Sequence, residues 1–234
     1  MAKVVILSGA GISAESGIST FRDNGGLWNE YKIEDICTAG CMQTNRDQTI
    51  EFYDKRRLDI KDKLPNKAHI QIATLKEKYP NDIAVITQNV DDLFEKAGLS
   101  DVLHLHGFLQ NICCEECDFK ENIGYQKQRD VYNLCPQCKK DALRPDIVFF
   151  GEAAPKYLDL HNEIYECKML VIIGTSGNVI NTDIFVDMGH IEYSILNNLE
   201  PSSAINDKLY SKVLYKKASL AIDEIVEDIE KFLN

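Results

Sequence analysis

The sequence predicts an α/β protein built on a doubly wound parallel sheet, with a smaller domain inserted into it. Two observations predict this fold class. Short apolar runs rich in β-branched residues alternate with segments of helical pattern, and this alternation is typical of parallel sheets. A cysteine-rich segment at 110–140 interrupts the alternation and indicates an insertion.

The predicted strands are apolar runs too short for helices of a globular protein. Their length and β-branched content favour buried strands. They lie at residues 4–7, 83–87, 102–105, 146–150, 169–173 and 193–196.

Three segments between or after these runs have the pattern of helices. The first, 66–78, follows a proline, a residue favoured in the first turn of a helix. The second, 90–97, ends before Gly98, and glycine is common just past helix ends. The third, 219–233, places apolar residues on one face, and Ser219 is its predicted N-cap.

Two segments fall outside the alternation, a polar and helical one at 31–62 and the cysteine-rich one at 110–140. We assign both to the smaller domain, which therefore combines helices with a cysteine-rich ribbon. The larger domain, which contains the sheet, is predicted to comprise residues 1–30, 63–109 and 141–234.

The composition is that of a globular protein, with 234 residues of which 44% are hydrophobic and 27% charged. The formal net charge of −11 argues against nucleic acid or an anionic membrane as a partner, because phosphate binding depends on an excess of lysine and arginine. No apolar stretch approaches membrane-spanning length and no signal-peptide pattern is visible. We therefore expect a cytoplasmic protein, and we expect it to be a monomer.

Four of the eight cysteines have the spacing of a metal site. Cys114 and Cys117 form one C-x-x-C pair, and Cys135 and Cys138 form a second pair after seventeen residues. Four thiolates suit tetrahedral Zn²⁺ and leave no open position for chemistry, so we predict one structural zinc ion. Two alternatives stay open: Cys113 in place of Cys114 as the first ligand, and four unligated cysteines on a hairpin. The other cysteines are predicted to pack in the core: Cys37, Cys41 and Cys167.

A glycine-rich turn directly after the first predicted strand fits the dinucleotide fingerprint G-x-G-x-x-A. In this pattern Gly9 allows a tight turn, Gly11 allows a pyrophosphate to approach the backbone, and Ala14 permits close packing. The fingerprint alone also fits an ordinary strand–helix turn. A dehydrogenase would place an acidic residue after a second strand about 20 residues on. Here no strand precedes the acidic residues at that distance, and a loop, TFRDNGGLW at 20–28, stands there instead.

Three more polar stretches follow predicted strands: TQNVDD at 87–92, HLHG at 104–107 and GTS at 174–176. Polar residues just past the strand ends of an open α/β sheet converge on its ligand crevice. Each stretch also has a simpler interpretation, as a helix N-cap, a core histidine or a turn. Their combination with the glycine-rich turn favours a Rossmann-like site for NAD.

These stretches together resemble the sirtuin family of NAD-dependent protein lysine deacylases. The matching segments are GAGISAESGISTFR with GGLW, TQNVDDL, HLHG, the paired C-x-x-C motifs, LRPDIVFFGE, GTS and NNLEPS, in family order. The sequence departs from the family pattern at several positions, which are Ser19, Asn181, Asn197 and Lys216.

The resemblance implies an enzyme that consumes NAD to remove acyl groups from lysine in protein substrates, yielding nicotinamide and O-acyl-ADP-ribose. It implies that His106 is the general base and that Asn89 and Asp91 take part at the nicotinamide and ribose pocket, while His104 is expected to be dispensable. The residues that it implies at the NAD site are Gly9, Ala10, Gly11, Ser13, Ala14, Glu15, Gly17, Thr20, Phe21, Arg22, Trp28, Gln88, Asn89, Asp91, Gly174, Thr175, Ser176, Asn198, Leu199, Glu200 and Ala218.

A pair of residues in EFYDKRR at 51–57 bears on the acyl group. Tyr53 and Arg56 are three apart on a predicted helix and therefore share a face. The stretch resembles the desuccinylase and demalonylase branch of the family, in which a Tyr-x-x-Arg pair binds the acyl carboxylate and a small residue, here Cys37, makes room. A pair of this kind also occurs by chance on surface helices. Two other functions stay open: a mono-ADP-ribosyltransferase and a non-catalytic NAD-sensing module.

Overall fold

A six-stranded parallel sheet forms the centre of the computed structural model, which describes residues 2–19 and 31–234. Its strand order is β3-β2-β1-β7-β8-β9, and a separate three-stranded sheet has the order β5-β4-β6. The strands are β1 (Val4–Ser8), β2 (Ile83–Thr87), β3 (Leu103–His104), β4 (Gly107–Cys114), β5 (Lys120–Asn122), β6 (Leu143–Ile147), β7 (Met169–Ile173), β8 (Tyr193–Asn198) and β9 (Lys212–Tyr215).

The chain builds the large sheet outwards from β1 in both directions. Val4 is paired with Ile83 of β2 on one side and with Met169 of β7 on the other. The order therefore reverses at β1, and its carboxyl end is the topological switch point at which open α/β sheets bind ligands. This arrangement confirms the predicted doubly wound fold.

Helices cover both faces of the large sheet. The α-helices of the described residues are α1 (Ile33–Ile36), α2 (Cys41–Thr44), α3 (Arg46–Asp59), α4 (Lys67–Lys78), α5 (Leu93–Lys96), α6 (Gln128–Val131), α7 (Tyr157–Glu166), α8 (Asp183–Val186) and α9 (Ala218–Leu233). Val4 and Ile6 share a core with α4 and α9, whereas Val5 and Leu7 share a second core with α7 and α8. All four side chains are fully buried, as expected for a central parallel strand.

The prediction that residues 146–150 form a strand of the parallel sheet is wrong. The strand in this region is β6, which runs antiparallel to β4 in the small sheet. Its residues alternate between buried and half-buried, which is the pattern of a strand with one covered face. The apolar run continues beyond β6 as a loop, and Phe150 there forms an isolated bridge with Thr38.

Two of the predicted helices begin elsewhere than expected. The third begins at Ala218, and its N-cap is Lys217 rather than Ser219. Ser219 donates from both its amide and its hydroxyl to the carboxylate of Glu15, so a distant side chain caps this helix. The segment at 90–97 is helical only in α5, because residues 88–92 form a loop.

The smaller sheet and helices α1 to α3 meet in a third core, which includes Ile36, Phe52, Leu109 and Phe149. Strand β4 runs across the predicted domain boundary at 109/110. The division into two domains therefore stays a prediction. Within the described residues, no helix combines the length and the apolar character needed to cross a membrane.

Candidate functional site

The glycine-rich turn after β1 lies against the loop after β7. The amide of Gly11 donates to the carbonyl of Gly174 at 2.8 Å, and the amide of Gly9 donates to the carbonyl of Ile173 at 2.9 Å. A Cβ atom on Gly11 would lie 2.7 Å from the Cα of Gly174, so no larger residue fits. Gly174 itself has a φ of +67°, a conformation that favours glycine.

No α-helix follows the fingerprint within residues 9–19. The chain instead forms two 3₁₀ turns, Ala10–Ile12 and Ala14–Ser16, and Gly17 ends the second with a φ of +79°. Ala14 is exposed, so it does not provide the close helix–strand packing that the fingerprint predicts. The residues Thr20, Phe21, Arg22 and Trp28 of the predicted NAD site lie outside the described residues.

Ser13 is the centre of a buried polar cluster beside this turn. Its Oγ accepts a hydrogen bond from Nδ2 of Asn89 at 3.0 Å and lies 3.4 Å from Nε2 of His69. Burial lowers the pKa of His69 to about 4, so its ring is neutral at pH 7. Burial also raises the pKa of Asp91, although the Leu93 amide and the Ser13 hydroxyl partly oppose this effect. The cluster thus places hydrogen-bond donors and acceptors in a buried environment.

His69 also belongs to this cluster, although no sequence pattern predicted a role for it. It lies on α4 and is fully buried, with its ring 4.9 Å from that of Phe94. A histidine on the apolar face of a predicted helix is a weak signal, because buried histidines are also common as packing residues. Ser13 and His69 are 56 residues apart, so no local spacing in the sequence indicates their contact.

His104 and His106 both contact main-chain carbonyls of the loop that follows β2. His104 Nδ1 lies 2.9 Å from the carbonyl of Asn89, and its Nε2 lies 2.8 Å from the carboxylate of Glu95. Burial alone would lower the pKa of His104, but the Glu95 carboxylate raises it above its ordinary value. His104 is thus tied between the loop and α5, which is the position of a structural residue.

His106 has different surroundings. Its Nδ1 lies 3.0 Å from the carbonyl of Gln88, and its Nε2 lies 3.0 Å from the hydroxyl of Tyr157. Burial lowers the pKa of His106, so the ring is neutral at pH 7. A carbonyl only accepts hydrogen bonds, so Nδ1 carries the proton and Nε2 keeps its lone pair. His106 can therefore accept a proton at Nε2.

Gly107 fixes the backbone directly after His106. Its φ is +92°, and a Cβ atom there would lie 2.0 Å from the carbonyl oxygen of Asp146. Strand β4 begins at this glycine and pairs with Ile147 of β6. The histidine therefore stands at the junction of the two sheets.

The other predicted NAD residues lie around the carboxyl edge of the large sheet. Gln88 Nε2 donates to Thr175 Oγ1 at 3.0 Å, which joins the loops after β2 and β7. Thr175, Asn198 and Ala218 are buried, and Ser176 is half-buried. Leu199 is 65% exposed, and Glu200 is exposed as well.

Tyr53 and Arg56 lie on α3, close to this edge. The Tyr53 hydroxyl donates to Cys37 Sγ at 3.3 Å, and its ring lies 5.7 Å from that of Phe149. Burial lowers the pKa of Arg56, although the neighbouring Tyr53 phenol and the carboxylates of Asp59 and Asp91 oppose this effect. The pair is therefore on the same side of the molecule as Asp91.

Arg57, the next residue on α3, has a different role. It is fully buried, pairs with Asp54 and donates from Nε to the carbonyl of Leu109 at 2.7 Å. These contacts anchor α3 on β4. Of these two arginines, Arg56 is therefore the one that lies near Tyr53 and Cys37.

The paired C-x-x-C cysteines come together in one cluster. The four sulfur atoms all lie within 4.8 Å of one another, and the Cys114–Cys138 and Cys117–Cys135 sulfur distances are both 3.6 Å. Tetrahedral zinc with Zn–S bonds of about 2.3 Å places sulfurs about 3.8 Å apart, so the cluster fits a structural zinc ion. Cys113 is not among the cysteines of this cluster.

The chain is similar to proteins of known family along its whole length. A sequence model described as the Sir2 family matches residues 9–181. A relative from Campylobacter jejuni subsp. jejuni serotype O:2, named NAD-dependent protein deacylase, is 44% identical over 233 residues, covering 100% of this chain and 98% of the relative. A protein of the same name from Helicobacter hepaticus is 39% identical and covers 99% of both chains.

Solved structures show the same similarity. A Sir2 homolog in complex with NAD superposes with a TM-score of 0.84 at 33% identity, covering 99% of this chain and 90% of that chain. A mutant Sir2 homologue in complex with ADP-ribose superposes with a TM-score of 0.86 at 32% identity, covering 98% of this chain and 92% of that chain.

Proposed function

This chain belongs to the Sir2 family and is an NAD-dependent protein deacylase, and we propose that it removes acetyl, succinyl and malonyl groups from lysine, with nicotinamide and O-acyl-ADP-ribose as products. The observation that carries this proposal is the state of His106. Its ring is neutral at pH 7, its Nδ1 donates to the carbonyl of Gln88 beside Asn89, and its Nε2 keeps a lone pair that can accept a proton.

We propose that residues around the glycine-rich turn bind NAD at the carboxyl edge of the sheet. NAD supplies a glycosidic bond to a positively charged nicotinamide ring, which makes the ring a good leaving group. The glycine-rich turn directly follows β1, where the dinucleotide fingerprint lets a pyrophosphate approach the backbone, and Ala10 and Gly11 there are half-buried. Ser13, Asn89 and Asp91 form a buried set of donors and acceptors that suits an amide and a ribose.

In this proposal His106 acts as the general base. Its Nε2 accepts the proton of a ribose hydroxyl as that oxygen bonds to the acyl carbon, and general-base assistance of this kind is worth roughly 10²–10⁴-fold. The carbonyl of Gln88 holds the Nδ1 proton and fixes the tautomer that this step needs. A structural zinc ion in the distant cysteine cluster takes no part in the step, because four protein ligands leave no open position.

The acyl preference rests on Tyr53 and Arg56. A guanidinium can bind the terminal carboxylate of a succinyl or malonyl group with two hydrogen bonds, and a phenol adds another donor. The Tyr53 ring packs against Phe149, and the Cys37 sulfur lies beside the Tyr53 hydroxyl, so the surroundings of the pair are mostly apolar. An acetyl group has no terminal carboxylate for a guanidinium to bind, so we propose that succinyl- and malonyl-lysine are cleaved at least as well as acetyl-lysine.

Replacing Arg56 with methionine tests this preference. The kcat/KM for a succinyl-lysine peptide should fall about 10- to 100-fold, because a hydrogen bond to a charged group is lost. Turnover of the matching acetyl-lysine peptide should persist. Arg129→Met is the control, because Arg129 pairs only with surface carboxylates of Asp47 and Asp141 in the described structure. An equal loss of both activities in Arg56→Met would show that Arg56 is structural.

The function itself is tested with purified protein, NAD and a panel of acetyl-, malonyl- and succinyl-lysine peptides, with products identified by mass spectrometry. Deacylated peptide with equal amounts of nicotinamide and O-acyl-ADP-ribose is the expected result. A mono-ADP-ribosyltransferase would modify protein without producing O-acyl-ADP-ribose, and a non-catalytic module would release no nicotinamide. We also propose that the enzyme is a monomer, which light scattering during size-exclusion chromatography can test.

A further inference from the structure

Tyr157, the first residue of α7, contacts the side chain that we propose as the general base. Its hydroxyl lies 3.0 Å from Nε2 of His106, and the two ring centroids are 6.0 Å apart at an angle of 45°. Tyr157 is half-buried, and burial raises its pKa, so the hydroxyl keeps its proton at neutral pH. It lies five residues after Glu152, where the segment LRPDIVFFGE ends.

The direction of this hydrogen bond follows from the other side of the ring. Nδ1 of His106 carries a proton, because its partner is the carbonyl of Gln88, which only accepts. Nε2 therefore has a lone pair, and the Tyr157 hydroxyl donates to it. The imidazole is held at both nitrogens, by a main-chain atom of the loop after β2 and by a side chain of α7.

We propose that Tyr157 is a positioning residue for His106 in the deacylation step. In the absence of substrate its hydroxyl holds the ring in place and covers the lone pair at Nε2. The Tyr157 hydroxyl moves aside from Nε2 when a ribose hydroxyl approaches, because both oxygens need the direction of the same lone pair. The proposal rests on the assignment of His106 as the general base.

The same hydroxyl can serve the protonated base. As the ribose oxygen bonds to the acyl carbon, its proton passes to Nε2, and His106 becomes a cation in a half-buried site. The Tyr157 oxygen can then accept a hydrogen bond from Nε2–H, because a hydroxyl has lone pairs as well as a proton. Tyr157 neither gains nor loses a proton, and the proton on His106 leaves with the departing lysine nitrogen or with water.

The experiment compares Tyr157→Phe with the natural enzyme in two reactions. Deacylation kcat should fall about 5- to 50-fold, because the base loses its partner. Exchange of labelled nicotinamide into NAD in the presence of acyl-peptide should stay within about twofold, because it precedes the step that needs the base, and the KM for NAD should be unchanged. A variant that loses both reactions equally would indicate a structural role and overturn the proposal.

A spectroscopic measurement on the substrate-free protein gives a second readout. In ¹⁵N-histidine NMR spectra at neutral pH, His106 should be the Nδ1–H tautomer, and Tyr157→Phe should move its Nε2 resonance because an accepted hydrogen bond is lost. The control is Tyr165→Phe on the same helix, whose ring lies against His190. It should leave the His106 resonances and both reactions unchanged. An unmoved Nε2 resonance in Tyr157→Phe would overturn the proposal.

His106→Ala separates this inference from the proposed function. An inactive His106→Ala together with a fully active Tyr157→Phe would overturn only the role of Tyr157. Full deacylation by His106→Ala would instead remove the general base on which both proposals rest.

Discussion

Replacing His106 with alanine should abolish deacylation, with a fall in kcat of about 10²–10⁴-fold. The fold and NAD binding should be largely retained, because the hydrogen bonds of the ring within the described residues join one main-chain carbonyl and one hydroxyl. Burial lowers the pKa of His106 below its ordinary value of 6.5, so the neutral base should persist somewhat below that pH. The activity of the natural enzyme should therefore decline only when the pH falls below about 6.5. Steady-state kinetics and calorimetric titration with NAD measure these effects.

His104→Gln is the matched control for this experiment. His104 lies two residues earlier and is bonded to the carbonyl of Asn89 and the carboxylate of Glu95. Its replacement should lower thermal stability but keep most of the turnover. An inactive His104→Gln with an active His106→Ala would reverse the assignment of the base.

Removal of zinc should inactivate the enzyme slowly. We expect one zinc ion per chain at Cys114, Cys117, Cys135 and Cys138, and in small zinc domains such a site contributes about 10–16 kcal/mol of apparent folding free energy. The core beside the cluster is small, so little else holds this segment together. A strong chelator should therefore unfold the segment, with activity lost over the same time, as followed by metal analysis and limited proteolysis.

The effect should reach the site because the zinc segment is joined to α3 and to β4. Arg46 donates to the carbonyl of Leu143 at 3.0 Å and pairs with Glu115, and β4 begins directly after His106. Cys113→Ser is the control and should keep its zinc, because Cys113 lies outside the cluster. A full zinc content in Cys135→Ala, or no zinc in the natural protein, would contradict the prediction.

The parallel sheet was predictable from sequence because its strands are buried on both faces. Each strand is therefore a continuous apolar run in the sequence, and the runs that begin at Val4, Ile83 and Met169 correspond to β1, β2 and β7. Strand β6 was misplaced because its own residues alternate between buried and half-buried, while the apolar run used for the prediction continues beyond β6 into a loop. Strand β9, at the sheet edge, was missed because its residues are half-buried or exposed and form no apolar run.

The candidate site was predictable where polar residues follow strands directly. Ser13, Asn89 and His106 all lie in such segments, and the structure brings the first two within hydrogen-bond distance. His69 and Tyr157 were missed for a common physical reason. Each lies on a helix and meets its partner 51 or more residues away, so no local spacing records the contact.

The capping of α9 by Glu15 has a consequence for the nascent chain on the ribosome. The bond between Glu15 and Ser219 joins residues 204 positions apart, and β1 lies between strands that are synthesised much later. The glycine-rich turn therefore leaves the exit tunnel early but lacks its partners after β7 and in α9 until those segments have also left the tunnel. The pairing on both sides of β1 and the cap of α9 should therefore form late in synthesis, after the segments around residues 173 and 219 have left the tunnel.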